Sequence, residues 1–321
     1  MPSPAPVQVA RNAMATRFEI VLYGDKPDSL RAAAEEALDE VQRLESKLSL
    51  YRPDSEISHL NSRAAREPVR VSSELFRLLL QARRLHEETG GAFDITIGPL
   101  MRAWGFMGDS GHLPSSEAVE RARESVGMQR VVLDPDQQSV RFLQPGVTLD
   151  LGAIGKGYAI EQAAEILREA GMASALIHGG TSTSYGIGSP PGEEFWKVAI
   201  ERPPQDDSNS APGLLAVVPL HDSALSVSAV WGKAFKSGSS TYGHIIDPRT
   251  GWPAHGAILA AVSLASATES DALSTALLTL GLQEHDKIAS LRPGIRTLVI
   301  EKPDPPRDQL RIVSTRIEIH P

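Results

Sequence analysis

From Val147 the chain reads VTLDLGAIGKGYAIEQAAEILREAG: an apolar run, a glycine turn, then a long stretch at helical period. A strand, a tight turn and a helix in direct succession commit this region to mixed α and β structure. They also present the N–H groups of a helix start, where an anion can bind. A phosphate-binding P-loop is excluded. That motif needs four residues between its first glycine and a Gly-Lys pair, then Ser or Thr. Here two residues separate Gly152 from Gly155, and Gly157 stands where the hydroxyl belongs. Lys156 falls in the first helical turn, where a positive charge opposes the helix dipole. A partner anion would offset that cost, and a solvated lysine on an ordinary turn is the alternative.

The 321 residues are 41 % hydrophobic, enough for a sizeable core. A net charge of −8, no long basic run and 5 % aromatics argue against a nucleic-acid partner. There is no cysteine, so disulfides, thiolate nucleophiles and iron–sulfur clusters are out. A divalent metal would rest on oxygen or imidazole, and oxygen favours magnesium or calcium. Prolines occupy the start, MPSPAPVQV, where a signal peptide has its apolar core. No lipobox and no apolar run of membrane-spanning length occur, so the expected location is the cytoplasm.

Residues 1–10 read as a disordered lead, followed by one domain over 11–321. Helices are expected over PDSLRAAAEEALDEVQRLESKLSL, SSELFRLLLQARRLHEETGG, PSSEAVERARESVG, KGYAIEQAAEILREAG and TESDALSTALLTLG, the last capped by Thr268 and stopped by Gly281. Strands are expected at TRFEIVLYG, at VTLDL, at SALIHGG, and as a hairpin in QRVVLDPDQQSVRFL. Short strands then dominate: WKVAIER, LLAVVPL, ALSVSA, YGHIID, AILAAVSLA, RTLVIE and LRIVSTRIEI. PPQDDSNSAPG reads as a flexible surface loop. Helices and strands neither alternate nor segregate cleanly, which gives an α+β fold in a single domain.

Several constellations could carry chemistry. His244 in YGHIIDPRTGWP is either a structural histidine or a general base. Asp247 and Arg249 read as turn formers. Asp271 and Thr275 are four apart and share a helix face, which makes a hard-metal half-site or a dipole-facing acid beside a solvated hydroxyl. In LSLYRPDSEISHLN, Tyr51 begins a turn and Glu56 is a capping or solvated acid. Phe93 and Asp94 follow a double glycine that lets backbone approach a planar ligand, with Phe93 as plain core the simpler reading. IHGGTSTSYGIG is a nucleotide-contacting loop or a polar turn.

Taken in order, AMATRFEIVLYG, LSLYRPDSEISHLN, GAFDITIGPLMRAWGF, LDLGAIGKGYAIEQAAEIL, IHGGTSTSYGIG, SVSAVWGKAF, YGHIIDPRTGWPA and ATESDALSTALLTLG resemble the FAD:protein FMN transferases, the ApbE family. The resemblance spans about Met14 to Gly281. It implies a single-domain α+β fold related to the T-fold, with FAD in a deep cleft. It implies magnesium-dependent transfer of FMN from FAD to a Thr or Ser hydroxyl of an acceptor flavoprotein, with a phosphoester formed and AMP released. By the same resemblance Met14, Tyr51, Ala92, Phe93, Asp94, Asp150, Lys156 and Ile245 would contact FAD. The carbonyl of Ala153, with Asp271, Thr275 and possible help from Ser274, would hold the metal, and His244 would be the base.

Two departures stand out. Met14-Ala15-Thr16 replaces the family's frequent Met-Gly-Thr, a small change at a backbone position. Thr181-Ser182-Thr183 replaces a Glu/Asp/Asn-Ile-Arg pattern. An FAD pyrophosphatase giving FMN and AMP, and a non-catalytic FAD-binding protein, are the alternative functions.

Overall fold

The computed structural model describes residues 5–108, 111–203, 213–238, 240–302 and 309–320. The chain opens with a hairpin, β1 (Val7–Ala13) and β2 (Thr16–Leu22), then α1 (Pro27–Leu48), α2 (Glu56–Arg63), the short β3 (Val69–Arg70) and α3 (Ser73–Glu88). Next come α4 (Gly98–Ala103), α5 (Ser116–Arg123) and the hairpin β4 (Val131–Asp134) and β5 (Ser139–Phe142). The quoted glycine turn leads into α6 (Gly155–Glu169), β6 (Ala175–Gly179) and β7 (Thr183–Ile187). After it run β8 (Trp196–Glu201), β9 (Leu214–Leu220), β10 (Ser223–Ala229), β11 (Ala234–Ser237), β12 (Ser240–Gly243) and β13 (Ala257–Leu264). The helices α7 (Ala267–Leu280) and α8 (His285–Ala289) precede β14 (Arg296–Glu301) and β15 (Arg311–Thr315).

Among the described residues, eight strands form an antiparallel sheet in the order β1-β2-β6-β7-β10-β13-β14-β15. Side chains alternate between its faces at the strand period of two. In β13, Ala260 and Val262 join the main core, while Leu259 and Ala261 join a second core on the far face. The main core lies between the sheet and α1, α6 and α7. The β8–β9 hairpin covers the far face with Trp196, Leu215 and Leu220. Both faces are therefore covered at the central strands, which is why β13 and β14 read as nearly unbroken apolar runs. A third, smaller core of Leu100, Trp104, Phe106, Val119 and Ile246 joins α4 and α5 to the segment after β12.

Most expected elements are present, with local differences that have physical causes. Residues 7–10 belong to β1 and not to a lead, because Val7 and Val9 turn inward opposite Leu22 and Ile20. VTLDL is extended but unpaired with any strand at 147–150. The side-chain amide of Asn61 takes the place of a neighbouring strand: it donates to Leu149 O at 2.9 Å and accepts from Leu149 N at 2.8 Å. The strand in YGHIID ends at Gly243, and beyond it Ile246 makes only an isolated bridge to Pro253. Ser266, not Thr268, caps α7 by accepting from Glu269 N at 3.2 Å. PPQDDSNSAPG lies largely outside the described residues.

The β1–β2 turn is strained. Met14 and Ala15 link paired Ala13 and Thr16, with φ of 49° and 58°. That is the backbone of a two-residue hairpin turn, which favours Gly and Asn. An alanine there costs about 1–2 kcal/mol, so the change from the family's glycine is not neutral. Glycine returns part of the gain through unfolded-state entropy, about 0.4–1 kcal/mol. Ala15→Gly is expected to raise the unfolding free energy by roughly 0.5–1 kcal/mol, read from the urea midpoint at unchanged slope.

Candidate active site

The first turn of α6 meets the first half of α7 at a distance that only glycine allows. A Cβ on Gly157 would lie 2.3 Å from Ala267 O and 2.6 Å from Asp271 Cβ. Gly157 N–H, an orphan donor of the helix start, instead donates to Asp271 Oδ2 at 2.9 Å. The contact is reciprocated one turn on. Glu161 accepts from Ser266 Oγ at 2.7 Å and from Thr268 N at 2.8 Å, closing the N-terminus of α7. Arg84 and Arg292 clamp Glu269 in the same turn.

Asp271 is thereby held inside the protein, 4 % exposed. Burial raises its pKa, opposed by the Lys156 charge, the Gly157 N–H and the Thr183 hydroxyl, which reaches Oδ1 at 3.5 Å. α7 is buried along its length except at Thr275. Ser274 is fully buried and donates to Asp271 O at 2.9 Å.

The glycine turn carries a second carboxyl group under the Lys156 charge. Asp150 N donates to Ile95 O at 2.7 Å, and Asp150 Oδ1 accepts from Gly152 N at 2.8 Å. Desolvation pushes the Asp150 carboxyl up, against the charges of Lys156 and Lys233. The exposed Tyr51 phenol is raised too, by desolvation and by Asp150. Lys156 Nζ lies 3.4 Å from Gly152 O.

His244 is fixed twice by one carbonyl: its backbone N and its ring Nδ1 both reach Lys233 O at 3.0 Å. A carbonyl only accepts, so Nδ1 carries the proton and Nε2 keeps a lone pair. Burial lowers the pKa of His244 and the Lys156 and Lys233 charges add to that, outweighing the Lys233 carbonyl. That shift favours the neutral imidazole. A cavity of about 220 Å³ lined by Phe106, Gly232, Lys233 and Ala234 opens beside it.

Lys156, Asp150, His244 and Asp271, read from three separate motifs, are thus electrostatic neighbours. Ile245 and Met14 pack on the edge of the main core, as does Ala153. Met14 N donates to Glu45 at 2.6 Å. Ala92 and Phe93 are core side chains, 1 % exposed. The Asp94 carboxylate is occupied by Thr96, at 2.7 Å from its N and 2.6 Å from its hydroxyl, and by His86 Nδ1 at 3.2 Å. Asp247 and Arg249 are the turn formers expected, with Asp247 Oδ1 accepting from Arg249 N at 2.9 Å. Glu56 accepts from the Ser72 hydroxyl at 2.8 Å and so ties α2 to α3.

No cluster of three or more His, Cys, Asp or Glu suited to a metal occurs among the described residues. The donors available are one buried carboxylate, a hydroxyl and backbone carbonyl oxygen. That all-oxygen set is too sparse to enclose an ion alone, and it fits magnesium, which takes few protein ligands and completes its shell with phosphate and water.

Comparison with known proteins shows the family. Residues 14–299 match the model of the ApbE family. The chain belongs to the ApbE family. The FAD:protein FMN transferase of Salmonella typhimurium is 30 % identical over 94 % of this chain and 85 % of its own. That of Treponema pallidum is 30 % identical, over 91 % and 83 %. Among solved structures, the ApbE protein of Thermotoga maritima superposes with a TM-score of 0.85 at 28 % identity, covering 96 % of both chains. The flavin transferase ApbE of Vibrio cholerae gives 0.83 at 26 %, covering 98 % of both. No helix among the described residues is long and apolar enough to cross a membrane.

Sequence reading missed the residues that hold others in place: Glu45, Asn61, His86 and Gly157 in its packing role. Only Gly157 carried a signal, as a glycine at a position where the rejected phosphate motif has a hydroxyl. Gly157→Ala is expected to cost about 1–3 kcal/mol by overpacking and to displace Asp271. Thermal melting and activity should therefore fall together, whereas Gly152→Ala, whose nearest neighbour is Asp150 Oδ1 at 3.1 Å, should change melting less.

Proposed function

We propose that this chain, an enzyme of the transferase class, moves the FMN half of FAD onto a Thr or Ser hydroxyl of an acceptor flavoprotein. The new phosphoester forms at the FMN-side phosphorus, the anhydride bond breaks, and the bond pair leaves with AMP. The Lys156 charge, which acts on His244, Asp150 and Asp271 alike, carries this reading, and the names of the relatives supply the substrates.

Each residue has a role that its surroundings suit. His244, neutral and with Nε2 unprotonated, takes the proton of the acceptor hydroxyl as that oxygen attacks. Lys156 sets a positive charge at the helix start, where a pyrophosphate gains from both the charge and the N–H groups. Asp271, the Thr275 hydroxyl and the Ala153 carbonyl would hold magnesium. When bound, magnesium supplies Lewis-acid stabilisation of the pyrophosphate oxygens. Met14, Tyr51, Asp150 and Ile245 would border FAD. Because the Ala92 and Phe93 side chains are buried, the Ala92–Asp94 run would meet it through backbone.

The test is AMP release from FAD and Mg²⁺, with and without a flavoprotein subunit bearing a Thr acceptor site. AMP together with a flavin-mass adduct only when the acceptor is present supports transfer. Equal AMP without it makes the chain a pyrophosphatase, and bound FAD with no AMP in either tube makes it a binder. His244→Ala should retain FAD and lower the transfer rate about 10²–10⁴-fold. Since His244 is held below the ordinary imidazole value of ~6.5, the native rate should stay flat through neutrality and fall only on the acid side of that value.

A further inference from the structure

Ser228 lies near the end of β10, in the SVSAVWGKAF motif to which no role has been given. Its hydroxyl is 2.8 Å from Ser274 Oγ and 3.2 Å from Thr275 Oγ1. The direction of every proton in this cluster follows from one fixed end. Ser274 donates to Asp271 O at 2.9 Å, and a carbonyl can only accept. Ser274 has one proton, so in its contact with Ser228 it is the acceptor and Ser228 the donor. With its own proton spent, Ser228 can only accept from Thr275. The order is Thr275 to Ser228 to Ser274 to the Asp271 carbonyl.

Two consequences follow for the cleft. Ser274, fully buried and already accepting from Ser228, is poorly placed as a metal ligand. Thr275, the one residue of α7 not buried, sends its proton back into the protein and keeps its lone pairs outward. Its other acceptor, Asp271 O at 3.4 Å, is longer and already receives Ser274.

We infer that Ser228 is a positioning residue that draws the Thr275 proton inward, so that a bare hydroxyl oxygen faces the cation site, with Thr275 and not Ser274 as the hydroxyl ligand. The inference rests on the proposed metal site at Asp271. Without Ser228 the Thr275 proton has only the long carbonyl contact, and it can swing toward the cation and oppose it.

The experiment titrates the FAD-loaded protein with Mn²⁺ and follows free Mn²⁺ by its electron paramagnetic resonance signal. Native protein should bind, and Asp271→Ala should not. Ser228→Ala should bind about tenfold more weakly, the scale of one lost hydrogen bond, with FAD affinity in the absence of metal unchanged. Ser228→Thr, which keeps the hydroxyl, should recover native affinity to within about twofold. Ser228→Cys, with a weak thiol acceptor of similar shape, should behave as Ser228→Ala and serves if the alanine variant does not fold. The double variant of Ser228→Ala with Ser274→Ala should be no weaker than Ser228→Ala alone, as expected for links of one chain. If Ser228→Ala and Ser228→Cys bind Mn²⁺ as native protein does while Asp271→Ala has lost it, the relay is wrong and the metal site stands. If Asp271→Ala binds as native protein does, the metal site itself falls and the relay with it.

Discussion

The approach of α6 to α7 governs the rest of the structure. Two helices touch where one has no side chain, and a helix-start N–H reaches the carboxylate of Asp271 across that gap. Because Glu161 closes the N-terminus of α7 in return, neither helix can slide without breaking contacts at both ends. The central strands behind them are packed on both faces and give no slack. An ionisable group is tolerated at this depth because the surrounding donors were placed by the fold before any ligand arrived. That is the sense in which the site is preorganised.

Electrostatics make the site asymmetric. Lys156 bears on two carboxyl groups and an imidazole at once, raising the cost of protonating His244 and easing the ionisation of Asp150 and Asp271. One cation thus biases an imidazole and two carboxyl groups in the directions that the proposed proton transfer and cation binding would require. The lysine that looked misplaced against the helix dipole is better understood as the shared counter-charge of three motifs.

Much of this was legible in the sequence. Helical periodicity and turn chemistry located α1, α3, α5, α6, α7 and most strands, since their signals are local, whereas the short α2, α4, α8, β3 and β11, together with β1 and β7, were not expected. His244, Lys156 and Asp271 were visible as chemical types, although bringing them together needed the family resemblance. What was hidden depended on contacts between distant segments. VTLDL looks like a strand, yet its partner is the side chain of Asn61, and no period in either segment announces that. Ser228 sits in a strand whose alternation explains it as an ordinary polar position. Its meaning appears only beside Ser274 and Thr275, more than forty residues away. Ala15 looked harmless because residue type alone does not reveal a positive φ.

The distance along the chain between Gly157 and Asp271 has a kinetic side. The two halves of the site are joined by a contact spanning 114 residues, and the strands in between must enter the sheet before those halves can meet. Contacts of such long range are closed late, after the loop entropy has been overcome. A nascent or partly folded chain therefore lacks the carboxylate, hydroxyl and lysine as a working set. Competence arrives with closure of the sheet, so an incomplete copy of the enzyme has no assembled site with which to act.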